Sequence, residues 1–282
     1  MPKNKIAFQG EKGAYSHIAC EELYKDAEIK NCVTFEETFK TASEDENYKI
    51  IIPLENSLAG RVADIHYLLP KYKLQIYAEH FQAVEHSLLI KPEATLKDIK
   101  YVRSHAQAIS QCQEIIKKNR FKTIVSADTA GSAKDLASGN DISIAAIASE
   151  LSAKIYNLKT LQKNIEDEKG NVTRFLIMGK SIKQPEYKKE KKFITSCIFR
   201  LKSTPSALYK CLGGFATNQI NLTKLESFSV KNTFDQVNFY IDIEGHIEDP
   251  SLQKALEELG FHTEKLDVLG VYEANQFRFK NK

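Results

Sequence analysis

The chain has 282 residues, 42% hydrophobic and 27% charged, and this length exceeds what one hydrophobic core usually supports. No apolar run reaches the roughly 18 residues that a membrane-spanning helix needs, which argues against a membrane protein. The formal net charge of +3 is local, because residues 180–192 hold six lysines and two glutamates while the rest of the chain carries −1. A solvated lysine-rich linker explains this charge better than a nucleic-acid site.

The N-terminus also indicates where the protein resides. Met1–Lys5 leads directly into Ile6-Ala7-Phe8 without the apolar stretch of a signal peptide, so we expect a cytoplasmic protein. The five cysteines form no C-x-x-C pair, which predicts buried free thiols. His80 and His86 have no second ligand pair at metal spacing, so we interpret them as structural and expect no metal.

The first 180 residues repeat one pattern, in which a short apolar strand runs into a polar cluster that opens an amphipathic helix. In chain order, the strands and clusters are Ile6–Phe8 with Gly10–Ser16, Ile50–Pro53 with Glu55–Ser57, Tyr101–Arg103 with Ser104–Gln107, Thr123–Ser126 with Asp128–Ser132, and Ile142–Ala145 with Ala146–Ser149. The helix after Gln107 is expected to end near Lys118. This alternation predicts an α/β fold with largely parallel strands.

Each strand-to-helix junction places unpaired N–H groups and the positive end of a helix dipole beside polar side chains. In open parallel sheets such ends gather on one side, so together they favour a cleft for a carboxylate-bearing molecule. Taken singly, each cluster is better explained as an ordinary N-cap. Neither G-x-x-x-x-G-K-[ST] nor G-x-G-x-x-G is present, which disfavours nucleotide binding.

A different pattern begins after the lysine-rich segment. The expected elements are strand Thr195–Leu201, a helix from Pro205, strands Asn221–Val230 and Phe234–Glu244 joined by the hairpin loop Lys231–Thr233, a helix after Asp249-Pro250, and strand Glu264–Leu269. The order β-α-β-β-α-β is the split βαβ, ferredoxin-like plan. Because such modules commonly pair edge to edge, we expect a homo-oligomer.

Seven segments together carry a family resemblance. They are Gly10-x-x-Gly13-x-x-Ser16, Pro53-x-Glu55-Asn56-Ser57-x-x-Gly60, Ser104-His105-x-Gln107-Ala108-x-x-Gln111-Cys112, Asp128–Ala133, Ala145–Ser149, Asn171-x-Thr173-Arg174-Phe175 and Ile220–Ser227. In this order and spacing, the chain resembles prephenate dehydratase with a C-terminal ACT regulatory domain.

The resemblance implies a catalytic region at 1–180, folded as two lobes like a periplasmic binding protein with a cleft between them. It further implies a lysine-rich linker at 181–193 and an ACT domain at 194–275. The implied reaction removes the ring carboxylate and ring hydroxyl of prephenate, giving phenylpyruvate, carbon dioxide and water in phenylalanine biosynthesis. No cofactor is expected, phenylalanine is the expected effector, and the expected assembly is a homodimer or homotetramer.

The resemblance also assigns site residues. Thr173 matches the essential threonine, whose hydroxyl would hydrogen-bond the departing oxygen in the transition state. The expected substrate-binding residues are Asn56, Ser57, Ser104, Gln107, Thr129 and Arg174, with Glu55, His105 and Phe175 in support.

Three of these assignments have competing interpretations from residue chemistry. Arg174 is either a carboxylate anchor or half of an inter-strand ion pair, because Thr173 and Arg174 point to opposite faces of a strand. A charged Glu55 would repel a dianion, so it is expected to orient its neighbours. His105 either titrates or packs beside a helix start, and Phe175 is expected in the core.

The regulatory region departs from the family pattern twice. Pro205-Ser206-Ala207-Leu208 has serine where glycine is usual, and Glu226-Ser227-Phe228-Ser229 replaces Glu-Ser-Arg-Pro. The expected phenylalanine-binding residues are Ser206, Ala207, Leu208, Asn221, Leu222, Glu226 and Ser227.

The alternative functions are an arogenate dehydratase, which performs the same elimination on an amine-bearing substrate, and a non-catalytic aromatic amino-acid sensor. A solute-binding protein shares the implied fold, but the expected lack of an export signal argues against it.

Overall fold

A computed structural model describes residues 4–62, 65–180, 183–230 and 236–279. The predicted hairpin loop Lys231–Thr233, the first two residues of the strand predicted from Phe234, and residues 181–182 of the predicted linker lie outside the described residues. Within the described ranges, no helix has the length and apolar character required to cross a membrane.

The chain forms fifteen strands and nine helices among the described residues, with one short 3₁₀ turn at Gln276–Phe279. The strands are β1 (Lys5–Gln9), β2 (Glu28–Cys32), β3 (Tyr48–Asn56), β4 (Gly60–Arg61), β5 (Gln75–Ala83), β6 (Ser87–Ile90), β7 (Tyr101–His105), β8 (Lys122–Ser126), β9 (Ile144–Ala148), β10 (Lys159–Gln162), β11 (Val172–Gly179), β12 (Phe193–Leu201), β13 (Leu222–Ser229), β14 (Val237–Glu244) and β15 (Thr263–Glu273). The helices are α1 (Tyr15–Leu23), α2 (Phe35–Glu44), α3 (Ile65–Tyr72), α4 (Ala106–Ser110), α5 (Gln113–Asn119), α6 (Thr129–Ser138), α7 (Glu150–Ile155), α8 (Ala207–Thr217) and α9 (Pro250–His262).

The strands form three sheets, and the predicted α/β class is confirmed. One sheet has the order β2-β1-β3-β11-β5, with β4 paired to β3, and a second has the order β10-β6-β9-β7-β8. The expected parallel pairing is present in β1–β2, β7–β8 and β7–β9. By contrast, β3–β4, β6–β9 and β6–β10 are antiparallel.

The chain divides into two compact units. The first comprises Met1–Thr38, Ile51–Val62 and Phe81–Phe175, and the second comprises Phe39–Ile50, Ala63–His80 and Leu176–Lys282. In the first unit, aliphatic side chains of the second sheet, α4 and α5 form a buried core. Helices α6 and α7 begin at residues whose side chains accept a backbone N–H, Asp128 and Ser149 respectively. These are the N-caps that the sequence pattern predicts.

In the second unit, β12–β15 and α8–α9 follow the predicted β-α-β-β-α-β order. The antiparallel sheet has the order β13-β14-β12-β15, and a cluster that includes Phe199, Phe215 and Ile241 fills the space between it and the two helices. The final strand, β15, extends to Glu273 rather than ending at Leu269 as predicted. All five cysteines are free and buried, which confirms that prediction.

The predicted pattern of strand, cluster and helix is wrong at two places. Ala146–Ala148, predicted as part of a cluster, are the last residues of β9. Glu55 and Asn56 are the last residues of β3, and the chain turns there into β4 instead of opening a helix. The Asn56 side chain accepts the N–H groups of Leu58 and Ala59, so an asparagine typical of N-caps closes a turn here. The helix expected to reach Lys118 is also interrupted, since α4 ends at Ser110 and α5 begins at Gln113.

Candidate active site

A cavity of about 330 Å³ lies within the first unit, a size typical of small-molecule sites. Its lining comprises Gln9, Gly10, Ala14, Tyr15, Ser16, Phe35, Pro53, Asn56, Val62, Val84, His86, His105, Gln107, Ala108, Gln111, Ala127, Asp128, Thr129, Asn171, Thr173 and Phe175. Residues from both the first and the second sheet contribute to it, and most of the motifs that carry the resemblance are represented.

The loop between β1 and α1 is held in place by close backbone packing. Gly13 has φ +94°, and a Cβ atom there would lie 2.8 Å from the Cα atom of Ser152, so a side chain is excluded. The hydroxyls of Ser149 and Ser152 donate to the Gly13 carbonyl at 2.6 and 3.1 Å. These contacts place Tyr15 and Ser16, at the N-terminus of α1, along the cavity.

Thr173 and Asn56 meet in this cavity from distant parts of the chain. The Asn56 Nδ2 group donates to Thr173 Oγ1 at 3.0 Å. Among the described residues, the Thr173 hydroxyl makes this one hydrogen bond, in which its oxygen is the acceptor. The Thr173 O–H hydrogen is therefore available to a molecule in the cavity.

Arg174, the next residue, does not line the cavity. The residue is 3% exposed, and its Nη1 atom lies 3.1 Å from Glu55 Oε1. Arg174 and Glu55 therefore form an inter-strand ion pair, the alternative to a substrate-binding role for Arg174. Glu55 likewise faces the guanidinium rather than the cavity, as expected for a residue that orients its neighbours.

The other predicted site residues divide into two groups. Gln107, Thr129 and Phe175 line the cavity, as does His105, whose Nδ1 accepts the Gln107 N–H at the start of α4. Ser104 and Ser57 are not in the lining. Ser104 is fully buried and donates to the Ile147 carbonyl, and Ser57 accepts the Val172 N–H at 3.0 Å.

Seven polar side chains of the lining were not assigned site roles from the sequence: Gln9, Tyr15, Ser16, His86, Gln111, Asp128 and Asn171. Gln111 and Asn171 belong to the quoted motifs, so the pattern could have identified them. Tyr15, the first residue of α1, falls within the Gly10-x-x-Gly13-x-x-Ser16 motif. Its phenol contacts His86, and no local sequence signal indicates that these two residues meet. His86 was interpreted as structural, and burial lowers the pKa of its imidazole, which keeps it neutral near pH 7.

The donors of the cavity are neutral groups rather than cations, and one carboxylate, that of Asp128, lies in the lining and accepts the Gly131 N–H. The lining in the described residues includes neither lysine nor arginine. The N-termini of α1 and α6 contribute partial positive charge beside Tyr15 and Thr129. An anionic ligand would thus be held by helix ends, amides and hydroxyls. Within the described ranges, no three His, Cys, Asp or Glu side chains are grouped to hold a metal ion.

The predicted phenylalanine-binding residues lie in the second unit. Ser206 caps α8 with φ +61°, Ala207 is buried, and Leu208 packs against the core of that unit. The remaining four lie before or within β13. The Asn221 carbonyl accepts the Glu244 N–H, and Leu222 packs against the core of the unit. Glu226 lies 3.5 Å from Lys224 Nζ, and Ser227 is exposed.

An α/β fold with a cavity of this size, lined by apolar side chains and a set of polar ones, defines a protein that acts on or binds a small molecule. Residues 6–183 match the family model described as prephenate dehydratase. The chain belongs to the prephenate dehydratase family, which confirms the resemblance for this part of the sequence.

Named relatives extend over nearly the whole chain. A bifunctional N-acyl-homoserine lactone acylase/prephenate dehydratase of Komagataeibacter europaeus is 41% identical over 278 residues, covering 98% of this chain and 98% of that protein. The chloroplastic arogenate dehydratase/prephenate dehydratase 2 of Arabidopsis thaliana is 37% identical over 95% of this chain and 72% of its own length. The crystal structure of prephenate dehydratase from Arthrobacter aurescens in complex with L-Phe superposes with a TM-score of 0.87 at 26% identity, covering 96% and 90% of the two chains.

Proposed function

We propose that this protein is a prephenate dehydratase, a lyase that converts prephenate to phenylpyruvate, carbon dioxide and water. The observation that carries the proposal is the Thr173 hydroxyl, which faces the cavity with Asn56 donating to its oxygen. Family membership over residues 6–183 supports it independently.

The chemistry needs a donor at the departing oxygen and a site for two carboxylates. As the ring carboxylate leaves as carbon dioxide, its bonding electrons enter the ring, which becomes aromatic and expels the hydroxyl. The Thr173 O–H donates to that leaving oxygen, which departs as water with a proton taken up from solvent. Hydrogen bonding in the transition state suits an alcohol, since it is a poor general acid. Gln107, Thr129 and the helix ends hold the dianion.

The direct test is a prephenate turnover assay on the purified chain with a Thr173→Val variant. This change keeps the side-chain volume and removes the hydroxyl, so kcat should fall by ~10²–10³, the usual effect of losing one transition-state donor. Thr123→Val is the matched control, because Thr123 is an exposed threonine of β8 outside the cavity. Near-normal kcat in Thr173→Val would remove Thr173 from the chemistry.

Two alternatives are tested with the same preparation. The Arabidopsis relative is named for both arogenate and prephenate, so kcat/KM on the two substrates decides which is preferred. An aromatic amino-acid sensor would bind ligand without turnover of either. The Komagataeibacter relative is also named an acylase, and hydrolysis of an N-acyl-homoserine lactone is measured as a third arm.

We further propose that the catalytic region spans 1–180 and has two lobes, as in periplasmic binding proteins, each built on one of the first two sheets. Residues 181–193 are the linker, and 194–275 form an ACT domain. The strand order β13-β14-β12-β15 with two helices supports the ACT assignment. We propose Asn56, Gln107 and Thr129 as substrate-binding residues, because they line the cavity. The other three expected residues, Ser57, Ser104 and Arg174, are proposed to support the site through their contacts within the protein.

Phenylalanine is the proposed feedback inhibitor, and the L-Phe complex of the Arthrobacter protein supports this. The proposed binding residues are those around Ser206, Asn221 and Glu226. Edge-to-edge pairing of ACT domains would give a homodimer or homotetramer, which sedimentation measures directly. If saturating phenylalanine changes neither activity nor Tm, the domain has an assembly role only.

A further inference from the structure

A continuous row of hydrogen-bonded side chains runs along the cavity wall and ends at the Thr173 hydroxyl. In order, its members are Tyr15, His86, Gln111, Asn171, Asn56 and Thr173, and all six line the cavity. Each amide in such a row has a donor end and an acceptor end, so knowing one orientation determines the next.

The orientation of Asn56 is determined by the backbone. Its Oδ1 atom lies 3.0 Å from the Leu58 nitrogen and 2.9 Å from the Ala59 nitrogen, and both N–H groups can only donate. The other end of the Asn56 amide is therefore NH₂. It donates to Asn171 Oδ1 at 2.6 Å and to Thr173 Oγ1 at 3.0 Å.

The orientation of Asn56 determines the orientations of the Asn171 and Gln111 amides in turn. Because Asn171 accepts from Asn56 through Oδ1, its own NH₂ group faces Gln111 Oε1 at 2.9 Å and donates to it. The Gln111 atom in this position is thus the acceptor oxygen. His86 Nε2 lies 3.0 Å from that same oxygen, so this nitrogen must carry a hydrogen.

The remaining ring nitrogen of His86 faces a donor. The Tyr15 hydroxyl lies 2.9 Å from Nδ1 and 2.7 Å from the Glu85 carbonyl. Burial lowers the pKa of His86 and outweighs the opposing effects of the Gln111 hydrogen bond and the Glu166 carboxylate. The imidazole is therefore neutral, with hydrogen on Nε2 and none on Nδ1. The single hydrogen of the Tyr15 phenol is donated to the Glu85 carbonyl and shared with Nδ1 in a three-centre hydrogen bond.

We propose that His86, as the Nε2–H tautomer, is a positioning residue for the elimination and acts on Thr173 through the amides of Gln111, Asn171 and Asn56. It holds the Gln111 oxygen toward Asn171 and so keeps the Asn171 amide in place against Asn56. The Asn56 amide, oriented by the backbone and held in position by Asn171, donates an N–H to the Thr173 oxygen. With its oxygen occupied, Thr173 points its own hydrogen toward the substrate. This inference rests on the proposed function.

Kinetic measurements on single and double variants test whether His86 acts through Thr173. His86→Leu removes the N–H, and kcat should fall about tenfold, as expected when one hydrogen bond that aligns the donor is lost, while KM changes little. His86→Gln, which keeps an amide donor near the Nε2 position, should recover most of kcat. Introducing His86→Leu into the Thr173→Val background should cause no further loss, because the route ends at that hydroxyl. His262→Leu, in the second unit, is the control and should leave kcat unchanged.

The tautomer itself is measured without substrate. Nitrogen-15 NMR of the folded chain near pH 7 should show a protonated Nε2 and an unprotonated Nδ1 in the signal that disappears in His86→Leu. An Nδ1–H tautomer or a fully protonated ring would overturn the inference. So would equal losses from His86→Leu in both backgrounds, or unchanged kcat in an active enzyme. A wild-type chain inactive on prephenate overturns the proposed function first and this inference with it.

Discussion

Replacing Gly270 by alanine tests a close backbone approach in the second unit. Gly270 lies in β15, and a Cβ atom built on it would be 1.9 Å from the Ile76 carbonyl oxygen and 2.7 Å from the Ile76 carbonyl carbon. Its φ angle is outside the left-handed region, so space rather than backbone conformation requires glycine here. Contacts between such atoms are normally about 3.5 Å, so the strands must separate by roughly 1.5 Å.

The cost follows from which atoms have to move. Overpacking that flexible side chains can absorb costs about 1–3 kcal/mol, and the obstructing atoms here are backbone. We therefore expect Gly270→Ala to destabilise the protein by at least about 3 kcal/mol. At about 2–4 °C per kcal/mol for a chain of this size, Tm should fall by roughly 6–12 °C.

Thermal unfolding followed by circular dichroism measures the effect, with urea unfolding as a second measurement. Gly260→Ala is the matched control, because Gly260 lies in α9 with nothing within 4 Å of the added carbon. Alanine has the higher helix propensity, so this variant should gain up to about 1 kcal/mol. A Gly270→Ala protein that melts with the wild type would refute the close approach of β15 to Ile76.

Two further substitutions probe the second unit by the same unfolding assays. Arg278 donates to both carboxylate oxygens of Glu79, at 2.6 and 2.8 Å, and the Glu79 side chain is 0% exposed. Arg278→Gln should cost about 3 kcal/mol, because a buried carboxylate loses two charge-assisted hydrogen bonds, and an unchanged Tm would contradict this. Ser206 has φ +61°, a region that glycine adopts without steric cost, so Ser206→Gly should stabilise the protein by about 1 kcal/mol. A lower Tm in Ser206→Gly would show that the serine side chain contributes more than the strain costs.

The sequence predicted helix starts correctly where a residue type has one common structural role. Asp128 and Ser149 follow strands and cap helices, as expected of those residue types. It failed at Asn56, whose side chain accepts two backbone N–H groups in a turn rather than at a helix start. N-caps and such turns use the same short-range hydrogen bonds, so the residue type does not distinguish them.

The candidate site was likewise predicted only in part. Thr173, Asn56, Gln107 and Thr129 belong to ordered motifs, and the structure brings all four to one cavity. Motif membership did not reveal that Ser104 is fully buried with its hydroxyl on a strand carbonyl. Site roles inferred from a motif do not specify which way each side chain points.

The sequence by itself determined the class of fold, the family and part of the strands and helices, because these depend on periodicity and on groups a few residues apart. Only the tertiary structure decided that Asn56 meets Thr173, 117 residues away, and that Tyr15 meets His86, 71 residues away. Those contacts follow from the order of strands in the sheets and from the packing of loops at their ends. Such long-range pairing leaves no periodic trace in the chain, so the hydrogen-bond row that reaches Thr173 became visible only in the folded protein.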